Sequence, residues 1–138
     1  MRKREAPAES RRGTAAVELA LLSPVLCLLF VLAIDYARIF YFTMVVTNCA
    51  RSGALYGSQN PTTANDQSGI SAAAGMDAGN LNSQKLTVSS STDSASSPTY
   101  VLVTVTYPFT TISNFPGIAS TTTISRTIRL TVTPLTPG

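Results

Sequence analysis

An apolar run from Ala15 to Ile34 constrains this chain more than any other feature of its sequence. A helix of about twenty residues is long enough to cross a hydrocarbon layer of roughly 30 Å. One carboxylate, Glu18, interrupts the run near its start. Because a charge inside a membrane costs about 2.5–3.5 kcal/mol on insertion scales, we expect Glu18 to have a partner that offsets this cost.

The composition also indicates a membrane protein or a packed assembly. Hydrophobic residues make up 44% of the chain and charged residues 12%, against about 25% charged residues in ordinary soluble domains. The formal net charge is +3, and all of the excess lies before Thr14, since five basic and five acidic residues balance each other from there onward. A folded basic face, which a nucleic-acid-binding protein requires, is therefore not expected.

The side chains needed for most enzyme chemistry are missing from the sequence. There is no His, and the two thiols are Cys27 and Cys49, which excludes imidazole bases, His-activated nucleophiles and nearly all zinc sites. The carboxylates of Asp66, Asp77 and Asp93 lack the spacing of a calcium-binding loop. We therefore expect no enzymatic activity, no metal and no cofactor.

The basic segment before the apolar run admits three interpretations. The first is a plain single-span anchor, in which the Lys and Arg residues beside the span mark its cytoplasmic side. The second is a secretory signal peptide, for which Val31-Leu32-Ala33 is an acceptable cleavage site, although the run is long for such a peptide. The third is a type IV prepilin-like signal, which alone accounts for Gly13 and Glu18 together.

The helical pattern continues beyond the apolar run to about Tyr56, and Gly57 followed by Pro61 predicts its end. Asp35 and Arg38 are three residues apart and can pair on one helical face. A stripe with three- and four-residue steps requires a partner surface; it consists of Ile34, Ala37, Tyr41, Val45, Asn48 and Ser52. Cys49 either pairs with a second molecule or is a buried free thiol.

The rest of the chain predicts a small Ser/Thr-rich α+β head. Alternating β-branched residues indicate a strand over 100–107 that Pro108 ends, and a last strand over 123–133. Arg126 interrupts the apolar face of the last strand, which indicates either an edge position or an acidic partner. The remaining expectations are a short helix near 70–77, a short strand over 86–89, a flexible turn over 89–98 and a connection over 112–119 that contains Pro116-Gly117.

Several segments of the sequence resemble a known family. Gly13-Thr14-Ala15-Ala16-Val17-Glu18 resembles the processing site of type IV prepilins. The string that continues through Leu26, with Asp35-Tyr36-Ala37-Arg38 and Asn48-Cys49-Ala50-Arg51-Ser52-Gly53-Ala54, is similar to the TadE-like family, whose members are pseudopilins of the tight-adherence (Tad/Flp) pilus system. The resemblance covers roughly residues 12–56. Leu19 departs from the pattern, since many of these pseudopilins have an aromatic residue after the glutamate.

The resemblance implies a three-part organisation and a role in assembly. Residues 1–13 would be a leader that a prepilin peptidase removes after Gly13, and the new amino group of Thr14 would pair with Glu18 of a neighbouring subunit. Residues 14–56 would form a helix with a transmembrane half and an extracytoplasmic half. Residues 57–138 would form a pilin-like head, whose antiparallel sheet of about three strands packs against this helix.

The implied partners are the membrane, the peptidase, other pilins and the Tad assembly machinery. The implied location is the inner membrane, with a cytoplasmic N-terminus and a periplasmic or extracellular head. The alternative hypothesis is an uncleaved, single-span membrane protein whose extracytoplasmic head is a binding module.

Overall fold

The computed structural model describes residues 9–113 and 120–135. Its helices are α1 (Glu9–Gly57), α2 (Pro61–Ala64) and α3 (Gln67–Met76), followed by a 3-10 turn (Ser83–Lys85) and by the strands β1 (Thr87–Asp93), β2 (Tyr100–Thr110) and β3 (Thr121–Thr131). The strands form one antiparallel sheet in the order β1-β2-β3. The predicted α+β architecture, a long N-terminal helix packed on a three-stranded antiparallel sheet, is confirmed.

Helix α1 is 49 residues long, which corresponds to about 73 Å at 1.5 Å per residue. It begins at Glu9, earlier than the predicted start at Thr14, because the Glu and Arg residues before Gly13 favour helix. It ends at Gly57, close to the predicted end at Tyr56. The first eight residues of the predicted leader lie outside the described residues.

The core of the head lies between α1 and the sheet. Val46, Cys49, Ala50 and Ala54 of α1 are fully buried, as are the side chains of β2 that point toward the helix, Val101, Val103 and Val105. Glycine allows the closest approach. A Cβ on Gly53 would lie 3.2 Å from Val103 Cγ1, and one on Gly57 would lie 3.1 Å from Val101 Cγ2.

Helices α2 and α3 also contribute buried residues to the core, and each begins with an N-cap residue. Asn60 caps α2 with its side chain, and its backbone N–H donates to the Thr63 hydroxyl, which completes a capping box that the sequence analysis missed. Asp66 caps α3 and also accepts a hydrogen bond of 2.9 Å from the Tyr56 hydroxyl. This bond ties the start of α3 to the last turn of α1.

The predicted bounds of all three strands differ from the structure, and β3 spans Thr121–Thr131 instead of 123–133. β1 continues to Asp93, through the first half of the predicted flexible turn, because β2 supplies hydrogen-bonding partners along its length. β2 continues through Pro108 to Thr110. Pro108 has no N–H, and its nitrogen faces β1. The pairing of β1 with β2 ends at Thr87 and Thr106, so the proline removes no hydrogen bond from the sheet.

Other predicted positions are found as expected. Ser125, Thr127, Arg129 and Thr131 are exposed on one face of β3, and Ile124 is buried on the other; Val132, which follows the strand, is buried as well. Of the two alternatives left open for Cys49, the structure shows the buried free thiol, so its sulfur is not exposed to a second molecule. The predicted connection over 112–119 is described at Ile112 and Ser113, whereas its remaining residues, with Pro116-Gly117, lie outside the described residues.

Candidate functional site

The first half of α1, residues 13–34, is largely uncovered by the rest of the described chain. Leu28 and Leu32 are half-buried, and every other residue of this segment is exposed. The segment is about 33 Å long as a helix, and α1 is long and apolar enough to cross a membrane. An apolar helix surface of this size requires lipid or another protein around it.

Glu18 lies in this exposed segment, about 6 Å along the helix axis from Thr14. Among the side chains that the structure describes, no Lys or Arg forms a salt bridge with Glu18. The Gly13–Thr14 peptide bond is helical and exposed. The chain itself therefore supplies no cation for the Glu18 carboxylate in the described region.

Asp35 marks the point where the head begins. Although it follows the apolar run directly, its side chain is buried, because the chain after β2 folds over it. The backbone N–H groups of Ile112 and Ser113 each donate to the carboxylate at 2.9 Å, and the Ser113 hydroxyl donates as well. These three donors lower the pKa of Asp35 to about 2, despite the opposing effect of burial.

Arg38 completes this junction. Its Nη1 lies 3.3 Å from Asp35 Oδ1 and 3.4 Å from the Thr110 carbonyl oxygen. Its guanidinium also lies over the Phe109 ring, 5.0 Å from the centroid, and 5.8 Å from that of Phe42. The two residues proposed as a helix-face pair thus also join α1 to the end of β2, which the sequence analysis did not anticipate.

A line of exposed residues runs along α1 on the side opposite the head. At about 100° per residue, its members lie within about 40° of one line, whereas Asp35, Val46 and Gly53 lie on the other side of the helix. We call this line the outer stripe; it consists of Leu26, Phe30, Ala33, Ala37, Phe40, Met44, Asn48, Arg51 and Leu55, all exposed.

The outer stripe corrects the stripe expected from the sequence. Ala37 and Asn48 belong to both, but Val45 packs against the core of the head, and Ser52 is half-buried with its hydroxyl donating to Asp77. Polar groups of Asn48, Arg51 and Asp77 border a cleft at the far end of the outer stripe. The exposed face of α1 is therefore rotated about the helix axis relative to the face that the predicted stripe would occupy.

The comparison with protein families bears on this same helix. A family model described as TadE-like protein matches residues 13–55. We call these residues, which are similar to that family, the TadE-like segment. The predicted resemblance is confirmed over this range. No curated protein and no solved structure matches the chain significantly.

The TadE-like segment contains each of the features described above on α1. It begins at the Gly13–Thr14 junction and includes Glu18, the Asp35–Arg38 pair and the outer stripe. The strands of the head lie outside the match. Over the described residues, no three potential metal ligands from Cys, Asp or Glu come together.

Proposed function

We propose that this protein is a minor pilin or pseudopilin that takes part in assembling a Tad (Flp) type IV pilus for surface adherence. The observation that carries the proposal is the TadE-like helix itself, which leaves both an apolar membrane-length segment with Glu18 and the outer stripe uncovered. One helix thus offers a continuous surface from the membrane to the head. Such a surface suits side-by-side packing with similar helices.

Processing would supply a cationic partner for Glu18, which has none among the described side chains. A prepilin peptidase that cuts after Gly13 on the cytoplasmic side leaves a positively charged amino group on Thr14. Glu18 of one subunit and the Thr14 amino group of a neighbour then form a pair inside the membrane. Two buried charges with good geometry offset much of each other's desolvation, whereas either charge alone does not.

Assembly would bury the outer stripe against other pilin helices. In this arrangement the span anchors the protein in the inner membrane, with the basic N-terminus in the cytoplasm and the head on the opposite side. The head, which contacts α1 on the face opposite the outer stripe, points away from the helical contacts. The pairing of Thr14 with Glu18 would set the position of each subunit along the fibre axis.

The N-terminus of the mature protein tests the processing step. We expect N-terminal sequencing and intact mass, on protein from native membranes, to give a start at Thr14 that depends on the cognate prepilin peptidase. A start near Ile34 would indicate a secreted head released by signal peptidase. An uncut chain would favour the alternative function, a membrane-anchored module whose head binds an extracytoplasmic ligand.

Substitution of Glu18 tests the pairing. Glu18→Gln should lower piliation at least about tenfold at an unchanged protein level, since an uncompensated buried charge on Thr14 costs about 3–5 kcal/mol. Glu18→Asp, which keeps the charge, should restore much of the piliation. Wild-type piliation in Glu18→Gln would refute the pairing with Thr14, whatever the result of the N-terminal analysis.

A further inference from the structure

Within the part of the chain that the structure describes, no strand pairs with the outer edge of β3. Thr111 N donates to Ser120 O at 3.0 Å, and Val132 N donates to Thr99 O at 2.9 Å, at the two ends of the β2–β3 ladder. Since alternate residues of an antiparallel strand face the same neighbour, even-numbered residues of β3 bond to β2. The odd-numbered residues face outward; they are Thr121, Thr123, Ser125, Thr127, Arg129 and Thr131.

The opposite edge of the sheet is closed. Gln67 of α3 places its side-chain amide against β1, where Nε2 donates to the Val88 carbonyl oxygen at 3.0 Å. The Ser90 N–H donates to Gln67 Oε1 at 3.0 Å, so this amide occupies the positions of a neighbouring strand. Thr92 is also engaged, through its hydroxyl, with the Ala64 carbonyl oxygen. A further strand can therefore add beside β3 but not beside β1.

Arg126 decides which strand fits the open edge. It lies at the middle of β3, exposed, on the face that β3 turns toward α1. Its Nη1 donates to the outward Ser125 carbonyl oxygen at 3.0 Å. Over the described residues, no carboxylate lies within 4.0 Å of its guanidinium. The edge thus carries a cation whose charge is not balanced locally.

A second copy of β3 is a poor partner for this edge. If two β3 strands paired antiparallel along their full length, Arg126 would stand directly opposite Arg126. That pair falls at a position without direct hydrogen bonds between the two residues, where side chains are closest. Like charges directly opposite destabilise a sheet, whereas opposite charges stabilise it.

We infer that the β3 edge binds an extended segment of a different protein, by strand addition, with an Asp or Glu opposite Arg126. Backbone hydrogen bonds to the outward residues provide affinity, and the charge of Arg126 provides selectivity. On binding, the Arg126 side chain releases the Ser125 carbonyl oxygen, which then accepts from the incoming strand. The guanidinium pairs instead with the Asp or Glu of that strand. This site lies outside the TadE-like segment and does not depend on cleavage after Gly13 or on pairing by Glu18.

Amide hydrogen exchange of the full-length chain in detergent micelles tests this inference. The probes are two blocked peptides of alternating Thr and Val that match the 11 residues of β3, one with a central Glu and one with a central Lys. We expect the Glu peptide to slow exchange at Thr123, Ser125 and Thr127, with little change at Ile124 and Ile128. It should bind about three- to tenfold more tightly than the Lys peptide, as expected for a cross-strand ion pair.

Charge reversal at Arg126 distinguishes a site that selects an acidic strand from an edge that binds any extended peptide. Arg126→Glu should reverse the preference so that the Lys peptide binds more tightly, whereas Lys85→Glu, an equal change of net charge at another exposed position, should leave the preference unchanged. Equal binding of both peptides, binding of neither, or slowed exchange at β1 instead of β3 would overturn the inference. Exchange at the outward residues that slows with protein concentration and without any peptide would also overturn the inference, since a second copy would then occupy the edge.

Discussion

Asp35 is buried directly beyond the apolar run because three donors from the chain after β2 surround its carboxylate. The ordinary pKa of such a group is 3.8, and these donors lower it to about 2. The folded head therefore favours the ionised form. Ionised Asp35 stabilises the head above the unfolded pKa, and this contribution is lost as the pH falls from about 4 through about 2.

Asp35→Asn should lower the melting temperature of the head at pH 7 by several degrees, because the amide group of Asn cannot accept from all of these donors. The difference between wild type and variant should shrink as the pH falls toward 2. Thermal melts of the full-length protein in detergent, followed by circular dichroism, measure this difference. Asp77→Asn is the control, because Asp77 is exposed and the side-chain oxygen of Asn can still accept from the Ser52 hydroxyl. A difference that stays constant between pH 7 and pH 2 would contradict the assigned role.

At the scale of elements, α1 combines two contact surfaces on opposite sides. One side carries small residues, Gly53 and Gly57 among them, which let the sheet and α3 approach the helix backbone closely. A Cβ on Gly53 would also lie 3.3 Å from Ile70 Cγ2. The other side carries the outer stripe, whose side chains are exposed.

Gly53→Val should destabilise the head by about 1–3 kcal/mol, since the added methyl groups would overlap Val103 and Ile70 in a close-packed core. Gly75→Ala in α3 is the matched control, because a Cβ there meets no atom within 4 Å. That change should be neutral or stabilise by up to about 1 kcal/mol. Urea unfolding of both variants in the same detergent gives the comparison. Equal effects of the two changes would contradict the close approach at Gly53.

At the scale of the whole molecule, the described chain has a membrane-length helical segment, a junction at Asp35 and a head on one side of the same helix. The head covers α1 from Asp35 to Gly57 on one side, and the outer stripe runs uncovered along the other. This division allows lateral helix contacts without moving the head. The β3 edge lies on the sheet, so strand addition and helix packing would use different surfaces.

Met44→Glu should reduce incorporation into the pilus several-fold, because a charge on the outer stripe would be buried in a helix–helix contact. Met76→Glu is the matched control, since Met76 is 84% exposed on α3 and is not a member of the outer stripe, whereas Met44 is 50% exposed. Quantitative immunoblots of sheared pili and of membranes report incorporation and protein level. If both variants assemble equally well, the outer stripe is not the assembly surface.

The features that follow a local periodicity could be predicted from the sequence. The apolar run, its continuation to Gly57 and the alternation of Val101, Val103 and Val105 each depend on side-chain spacing along one element. So does the TadE-like resemblance, whose match over residues 13–55 lies entirely on α1. The three-stranded α+β architecture followed from these patterns, because a half-apolar sheet requires a helix to cover it.

Other features depend on groups that only the folded chain brings together. Asp35 and its donors in Ile112 and Ser113 are 77 and 78 positions apart, so their contact has no signature in either local sequence. The face of α1 that remains free could not be derived from its own pattern, because polar and apolar residues occur on both sides of the helix. The closed edge at β1 likewise requires Gln67, which belongs to α3. Local spacing therefore determined the elements, and long-range hydrogen bonding and packing decided which of their surfaces remain open.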